Sequence, residues 1–203
     1  MSVPGRVEAA ALLLALEPPA WHLRHSRAVA EVAGWIALRA ARRDGALDRR
    51  LVESAALLHD LDKAPGYGRR ADDDHHGAAG AAWLRTRGFA ELAAAVAGHP
   101  VVRLADPTAE RWLAEATLEV RIVAYADKRA GQRLEPMERR FADWRRRYPL
   151  GREGAWSEAA LATIRERASR LEREVCAAAG LEPHEVRRLP WTGAALAAAR
   201  TGR

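Results

Sequence analysis

Seven histidines, at positions 22, 25, 59, 75, 76, 99 and 184, give this 203-residue chain its clearest chemical signal. Five of them fall between His25 and His99. Neutral imidazoles mixed with carboxylates are ligand types that suit Fe, Mn, Co, Ni or Zn. His59 is followed directly by Asp60, at the end of the apolar run 54–58. Neighbours on a helix project about 100° apart, so the two can grip one ion only where a helix end faces a cavity. Asp127 is the second notable carboxylate. It falls on a face otherwise built from Ala116, Val120 and Val123, where an unpaired charge is costly. A metal ion would offset that cost, and so would an arginine.

The elements that must position these groups read as helices almost throughout, and convincing alternating strands are lacking. The pattern predicts an all-α fold. A first helix spans Val7–Ala15 and stops at Pro18-Pro19. A second runs from about His22 to Arg43, with His25, Val29, Val32 and Ile36 on one face. Asp48 can cap a third, running to about Leu61. Lys63–Asp74 is rich in Gly, Pro and charge and reads as a loop. A fourth helix is expected from near His75, capped by Asp74, to Arg87-Gly88, and a fifth from Phe89 to Gly98. One long helix from Thr108 to about Ala130 should carry Asp127. Glu135–Arg147 is amphipathic through Met137, Phe141 and Trp144 and is closed by Tyr148-Pro149; Ser157–Ala179 is helical again, and an Ala-rich turn ends the chain. The expected organisation is a helical core over 1–150 with a C-terminal extension, 151–203, packed on it.

With these residues in place, the chain resembles the HD-domain metal-dependent phosphohydrolases. His25 in HSRAVAEVA, His59-Asp60 in AALLHDLDK and Asp127 in VAYADK match their H…HD…D pattern, over about residues 20–130. His76 in HGAAGAAWL and His99 in AGHP resemble the two further histidines of members that hold two metals. The resemblance implies a helical bundle with the metal centre at its middle. His25, His59, Asp60 and Asp127 would take one divalent ion, and His76 and His99 a second, with Asp60 bridging the two and orienting the attacking water. Fe or Mn is the foremost expectation, with Co, Ni or Zn also compatible. Two features depart from the family. Asp62 stands where some members have glycine, and Gly66-Tyr67-Gly68 is not the GYP element of the cyclic-dinucleotide phosphodiesterases. Symmetrical diadenosine tetraphosphate hydrolases offer the nearest activity by analogy at the site.

The two lysines add a point that the motif does not. Of 33 basic residues only Lys63 and Lys128 are lysine, and they fall three residues after Asp60 and directly after Asp127. A compact ammonium acts on phosphate as a point charge, whereas guanidinium is a planar fork. Lys63 is therefore expected on a substrate phosphate oxygen, as a catalytic and binding group. Lys128 is expected to support the electrostatics of the metal and substrate, and Arg69 and Arg129 to receive further phosphate oxygens. The alternative is that each lysine only neutralises a neighbouring aspartate. Among the remaining groups, His76 is favoured over His75 as the ligand, and His22, three residues before His25 and on its face, reads as a helix-start residue in preference to a partner supporting the ligands. His184 reads as a surface residue, and Asp72-Asp73-Asp74 as a charged approach to a helix N-terminus. Trp35, Trp83, Trp112 and Trp144 are expected in the core, and Cys176 is expected to be inert.

Composition limits the partners. The formal charge is +6, yet 31 residues are Arg and 46 are Ala, a pairing that a GC-rich coding sequence produces on its own. Bases are interleaved with acids, as on solvated helix faces. One cysteine excludes a disulfide framework and multi-cysteine zinc sites. No apolar run approaches the ~18 residues that span a bilayer, and the start reads as an amphipathic helix, so a cytoplasmic protein without membrane partners is expected. The leading reading is a phosphohydrolase acting on a nucleotide or other small phosphorylated compound. The alternatives are a nucleotide- or nucleic-acid-binding regulatory module with a structural or degenerate metal site, supported by the Arg-rich segment 139–147, and an oxygenase on the same scaffold.

Overall fold

The computed structural model describes residues 3–68, 76–147 and 156–202. Within them the chain forms ten α-helices joined by short 3-10 turns: α1 (Arg6–Leu14), α2 (Ala20–Ala41), α3 (Arg49–Leu58), α4 (Ala78–Thr86), α5 (Ala93–Gly98), α6 (Ala109–Glu115), α7 (Leu118–Arg129), α8 (Met137–Arg147), α9 (Glu158–Ala179) and α10 (Thr192–Thr201). No strand occurs among the described residues, so the fold is all-α, as the periodicity requires. No helix among them is long and apolar enough to cross a membrane.

The boundaries follow local chemistry. Glu17 sits at φ 51° ahead of Pro18 and Pro19, which breaks the chain sharply between α1 and α2. Asp48 caps α3 by accepting from the Leu51 amide at 3.0 Å, and Ser157 does the same for α9 from Ala160 at 3.1 Å. One expectation is corrected here: the long helix over 108–130 is two. Ala116 is extended (ψ 135°) and Thr117 caps α7, so a side chain able to satisfy free amides restarts the helix inside an otherwise continuous pattern. A second correction concerns α4, which starts at Ala78 with Gly77 as its cap; His76 therefore lies in the preceding turn, and Asp74 lies outside the described residues.

Helices α2, α3 and α7 pack against one another, α5 lies on α3 and α7, α4 lies on α5, α9 crosses α2 and α7, and α10 lies on α1. The inward face of α2 is largely small or β-branched (Ala28, Val29, Val32, Ala33, Ile36, Ala37, Ala40), and all of these are fully buried. Small side chains let neighbouring axes approach while the interior stays close-packed. Trp144 is buried, Trp35, Trp83 and Trp112 pack on the core, Cys176 is buried against Tyr125, and His184 is exposed. The site's residues come from α2, α3, α5 and α7 and from the turn before α4.

Candidate metal centre

Three helices, α3, α5 and α7, end beside one cavity, and their carbonyl ends favour positive charge there. His59 and His99 are the C-caps of α3 and α5. Each Nδ1 donates to a carbonyl three residues back, Ala56 O at 2.8 Å and Val96 O at 2.6 Å. Those carbonyls lack helical partners, so the same bond satisfies the helix end and fixes the imidazole. Asp60 leaves helical geometry (φ −103°, ψ 17°), which is how consecutive residues 59 and 60 both reach the cavity. His25 on α2 donates from Nδ1 to Gly131 O at 2.7 Å, just beyond α7. His76 donates from Nδ1 to the Asp62 carboxylate at 3.0 and 3.1 Å.

All four Nδ1 atoms are thus committed as donors, which leaves each Nε2 a bare lone pair. Yet His25 and His59 place their Nε2 atoms 3.1 Å apart, and His76 and His99 place theirs 3.0 Å apart. Facing lone pairs repel unless a cation or proton lies between them. Asp60 is fully enclosed and lies between the two pairs: Oδ1 is 3.0 Å from His76 Nε2, 3.2 Å from His99 Nε2 and 3.6 Å from His59 Nε2, and Oδ2 is 3.3 Å from His25 Nε2. Oδ1 nonetheless makes no hydrogen bond of proper geometry and is an orphaned buried acceptor. Asp127 closes the first pair, with Oδ1 3.4 Å from His25 Nε2 and 3.7 Å from His59 Nε2. The donor atoms of His25, His59 and Asp60 form one group that could hold an ion, and those of Asp60, His76 and His99 form another. The orphaned oxygen and the facing lone pairs fit divalent ions.

In the metal-free protein, protons take up the same role. Burial opposes charge on His25, but Asp127 and Asp60 overcome it and raise the group to about 10; at His76 burial is likewise overcome by Asp60 and Asp62, to about 9. Burial holds His59 neutral, at about 3, and lowers His99 as well. Each facing pair therefore carries one proton. Asp60 and Asp127 are held well below the usual carboxylate range: burial opposes their charge, but the surrounding histidines outweigh it.

Lys63 is half-exposed and places its ammonium 2.9 Å from Asp60 Oδ2, at the meeting of two cavities of about 630 and 660 Å³. Lys128 and Arg129 do not reach that space. The Lys128 ammonium is buried and donates to His99 O at 2.8 Å and Ala124 O at 3.0 Å. Arg129 donates to Tyr125 Oη, Glu172, Pro183 O and Glu135 O, tying α7 to α9. Both side chains leave α7 on its packed flank, so the structure assigns them to holding the bundle and not to substrate. Arg69, Arg70, His75 and Asp72–Asp74 lie outside the described residues. Three contributors, Asp62, Gly77 and Trp21, escaped the sequence pattern. Asp62, noticed there only as a departure, orients His76 and accepts from the Gly77 amide at 2.8 Å. Gly77 sits at φ 84°, and a Cβ there would lie 2.8 Å from Pro100 Cγ and 2.9 Å from Val96 O. That close approach of the turn to α5 is what brings His76 to His99; the His-Gly dipeptide was its only trace. His22, in the first turn of α2 as expected of a helix-start residue, is fully buried and stacked on Trp21; both of its ring nitrogens lack a partner among the described residues. Trp21, 46% exposed, lines both cavities.

The HD-domain family model matches residues 23–131, more than half of the chain. No curated protein and no solved structure matches it. The match begins just before His25 and ends at Gly131, whose carbonyl holds that histidine, and on it the chain belongs to the HD-domain family.

Proposed function

We propose that the protein is a metal-dependent phosphohydrolase acting on a nucleotide or other small phosphorylated compound. His25, His59, Asp60 and Asp127 would hold one divalent ion and His76 and His99 a second, with Asp60 shared; Fe or Mn suits this donor set, and Co, Ni or Zn is compatible with it. The observation that carries the reading is the pair of facing Nε2 contacts, 3.1 and 3.0 Å, on either side of one buried carboxylate. Bound divalent ions supply positive charge to a phosphoryl group and lower the pKa of water, the two requirements of phosphoester or anhydride hydrolysis. The chain's own groups do the rest. Asp60 keeps its charge when buried and can orient a water between the two ligand sets. Lys63 can receive a phosphoryl oxygen from the open side. Trp21 offers an exposed aromatic face that suits a planar base, and each cavity is of a size that holds a small ligand.

Phosphate release from a nucleotide panel, with Mn²⁺, Co²⁺, Fe²⁺ and Mg²⁺ in turn, tests this. Turnover abolished in Asp60→Ala is expected, and no turnover with any ion would overturn the proposal. The regulatory-module reading loses ground on the arginine face of α8. There Arg139, Arg145 and Arg146 pair with Glu135, Glu158 and Asp143. Salt-sensitive nucleic-acid binding that survives Asp60→Ala would restore it.

A further inference from the structure

Arg140 on α8 is 93% buried (7% exposed), and its Nε has no hydrogen-bond partner. None of the described residues forms an ion pair with it. Arg140 stands over an aromatic ring, the guanidinium carbon 5.4 Å from the centre of Trp144. A buried cation without an anion is costly, and here it lies near a second one, Lys128. Of the acids of the same cavity, Asp143 pairs with Arg146, and Glu135 pairs through Oε1 with Arg133 and Arg139, while its buried Oε2 lies beside Gly131, as the guanidinium does, without pairing with it. Arg140 lines the cavity that also contains His25, Asp60 and Asp127.

A short loop links the guanidinium to the metal centre. Residues 130–134 form a tight turn, closed by a bridge between Ala130 and Leu134 and by Gly131 N donating to Arg133 O at 3.0 Å. Gly131 offers its carbonyl to His25, and its Cα faces Arg140, whose Nη1 would lie 3.3 Å from a Cβ placed there. One glycine therefore bonds the ligand histidine and leaves beside it a space bounded by the guanidinium and by Glu135 Oε2, 3.2 Å from that Cβ.

We infer that Arg140 forms an anion subsite beside the metal centre, which takes a second phosphoryl group of the substrate while the first lies at the His/Asp cluster. The inference rests on the phosphohydrolase reading and narrows it to compounds with more than one phosphoryl group. Guanidinium fits two oxygens of such a group at once, and entry of the anion supplies the direct ion pair that Arg140 does not make with Glu135.

The probes are AMP and the non-hydrolysable α,β-methylene analogue of ADP, titrated calorimetrically into the metal-loaded protein. The wild type should bind the diphosphate analogue about tenfold or more tightly than AMP, the range of a good charge-assisted contact. Arg140→Met, which keeps volume without charge, should collapse that ratio towards one, and Arg140→Lys should restore part of it. A ratio kept in Arg140→Met overturns the subsite. So does an equal loss for both probes in a variant that melts like the wild type. Titration with 3-phosphoglycerate against glycerol 3-phosphate examines a carboxylate as the second anion. Discrimination lost only for that pair overturns the assignment to phosphate. Phosphate release from the nucleotide panel, followed in parallel, separates the two proposals. A collapsed ratio without any hydrolysis supports the subsite and sinks the hydrolase reading; hydrolysis with an unaltered ratio does the reverse.

Discussion

Asp62→Ala should strip the proposed second metal while sparing the first. Three of the four ligand histidines are oriented by backbone carbonyls, Ala56, Val96 and Gly131, which no substitution removes. His76 alone among them is held by a side chain, through the two Asp62 contacts at 3.0 and 3.1 Å. Burial opposes charge on Asp62, but His76 and the Gly77 amide hold its carboxyl below the usual range, so an anion faces the imidazole N–H. Removing such an outer partner costs roughly 10–100-fold in metal affinity, which corresponds to about 1.4–2.7 kcal/mol. The freed Gly77 N–H adds about 1–3 kcal/mol against the turn itself. Asp62→Asn keeps one acceptor and loses the charge, so its affinity should fall between wild type and Asp62→Ala. Mn²⁺ titrated calorimetrically into chelator-treated protein should give two binding steps in the wild type and one in Asp62→Ala, with elemental analysis counting the ions retained. Two unchanged steps in Asp62→Ala would refute the reasoning. Simultaneous loss of both ions from a folded variant would refute it as well, because the two ligand sets would then act as one.

Three further outcomes follow from the same geometry. Lys63→Arg should lower kcat/KM about tenfold or more, since a planar fork cannot reproduce a point charge 2.9 Å from Asp60; steady-state rates within twofold of wild type would exclude the phosphate contact. Lys128→Met should destabilise the fold by about 1–3 kcal/mol through its two lost carbonyl bonds, and leave KM within about twofold, as read by denaturant melts and steady-state kinetics. Metal affinity should rise with pH, because at neutral pH an incoming ion must displace the protons of His25 (about 10) and His76 (about 9). Metal-free folding runs in the opposite direction: both groups lie above the ordinary 6.5, so their contribution to stability is full below that value and is lost as pH rises through about 9 to 10. Calorimetry in buffers of different ionisation heat measures the protons released; none at pH 7 would contradict this.

Local sequence was enough to read most helices and their ends, because spacing of apolar side chains and capping groups such as Asp48 and Ser157 act within a few residues. The resemblance to the HD domain picked out the residues that converge, His25, His59, Asp60, His76, His99 and Asp127; residue type supplied their ligand chemistry but not the choice among seven histidines. Thr117 misled the reading: a capping threonine inside an unbroken apolar pattern leaves period and cap in competition, and only packing decides between them. Direction was the larger thing withheld. Lys128 follows Asp127 in sequence, yet a helix turns neighbours about 100° apart, so one faces the cavity and the other the carbonyls of His99 and Ala124. Which ring nitrogen stays bare depends on carbonyls such as Gly131 O, 106 residues from His25. Whether Arg140 is paired depends on every acid that the fold brings near it. Composition and period act along the chain; tautomer, facing lone pairs and uncompensated charge arise between segments remote in sequence, and only the assembled bundle sets them.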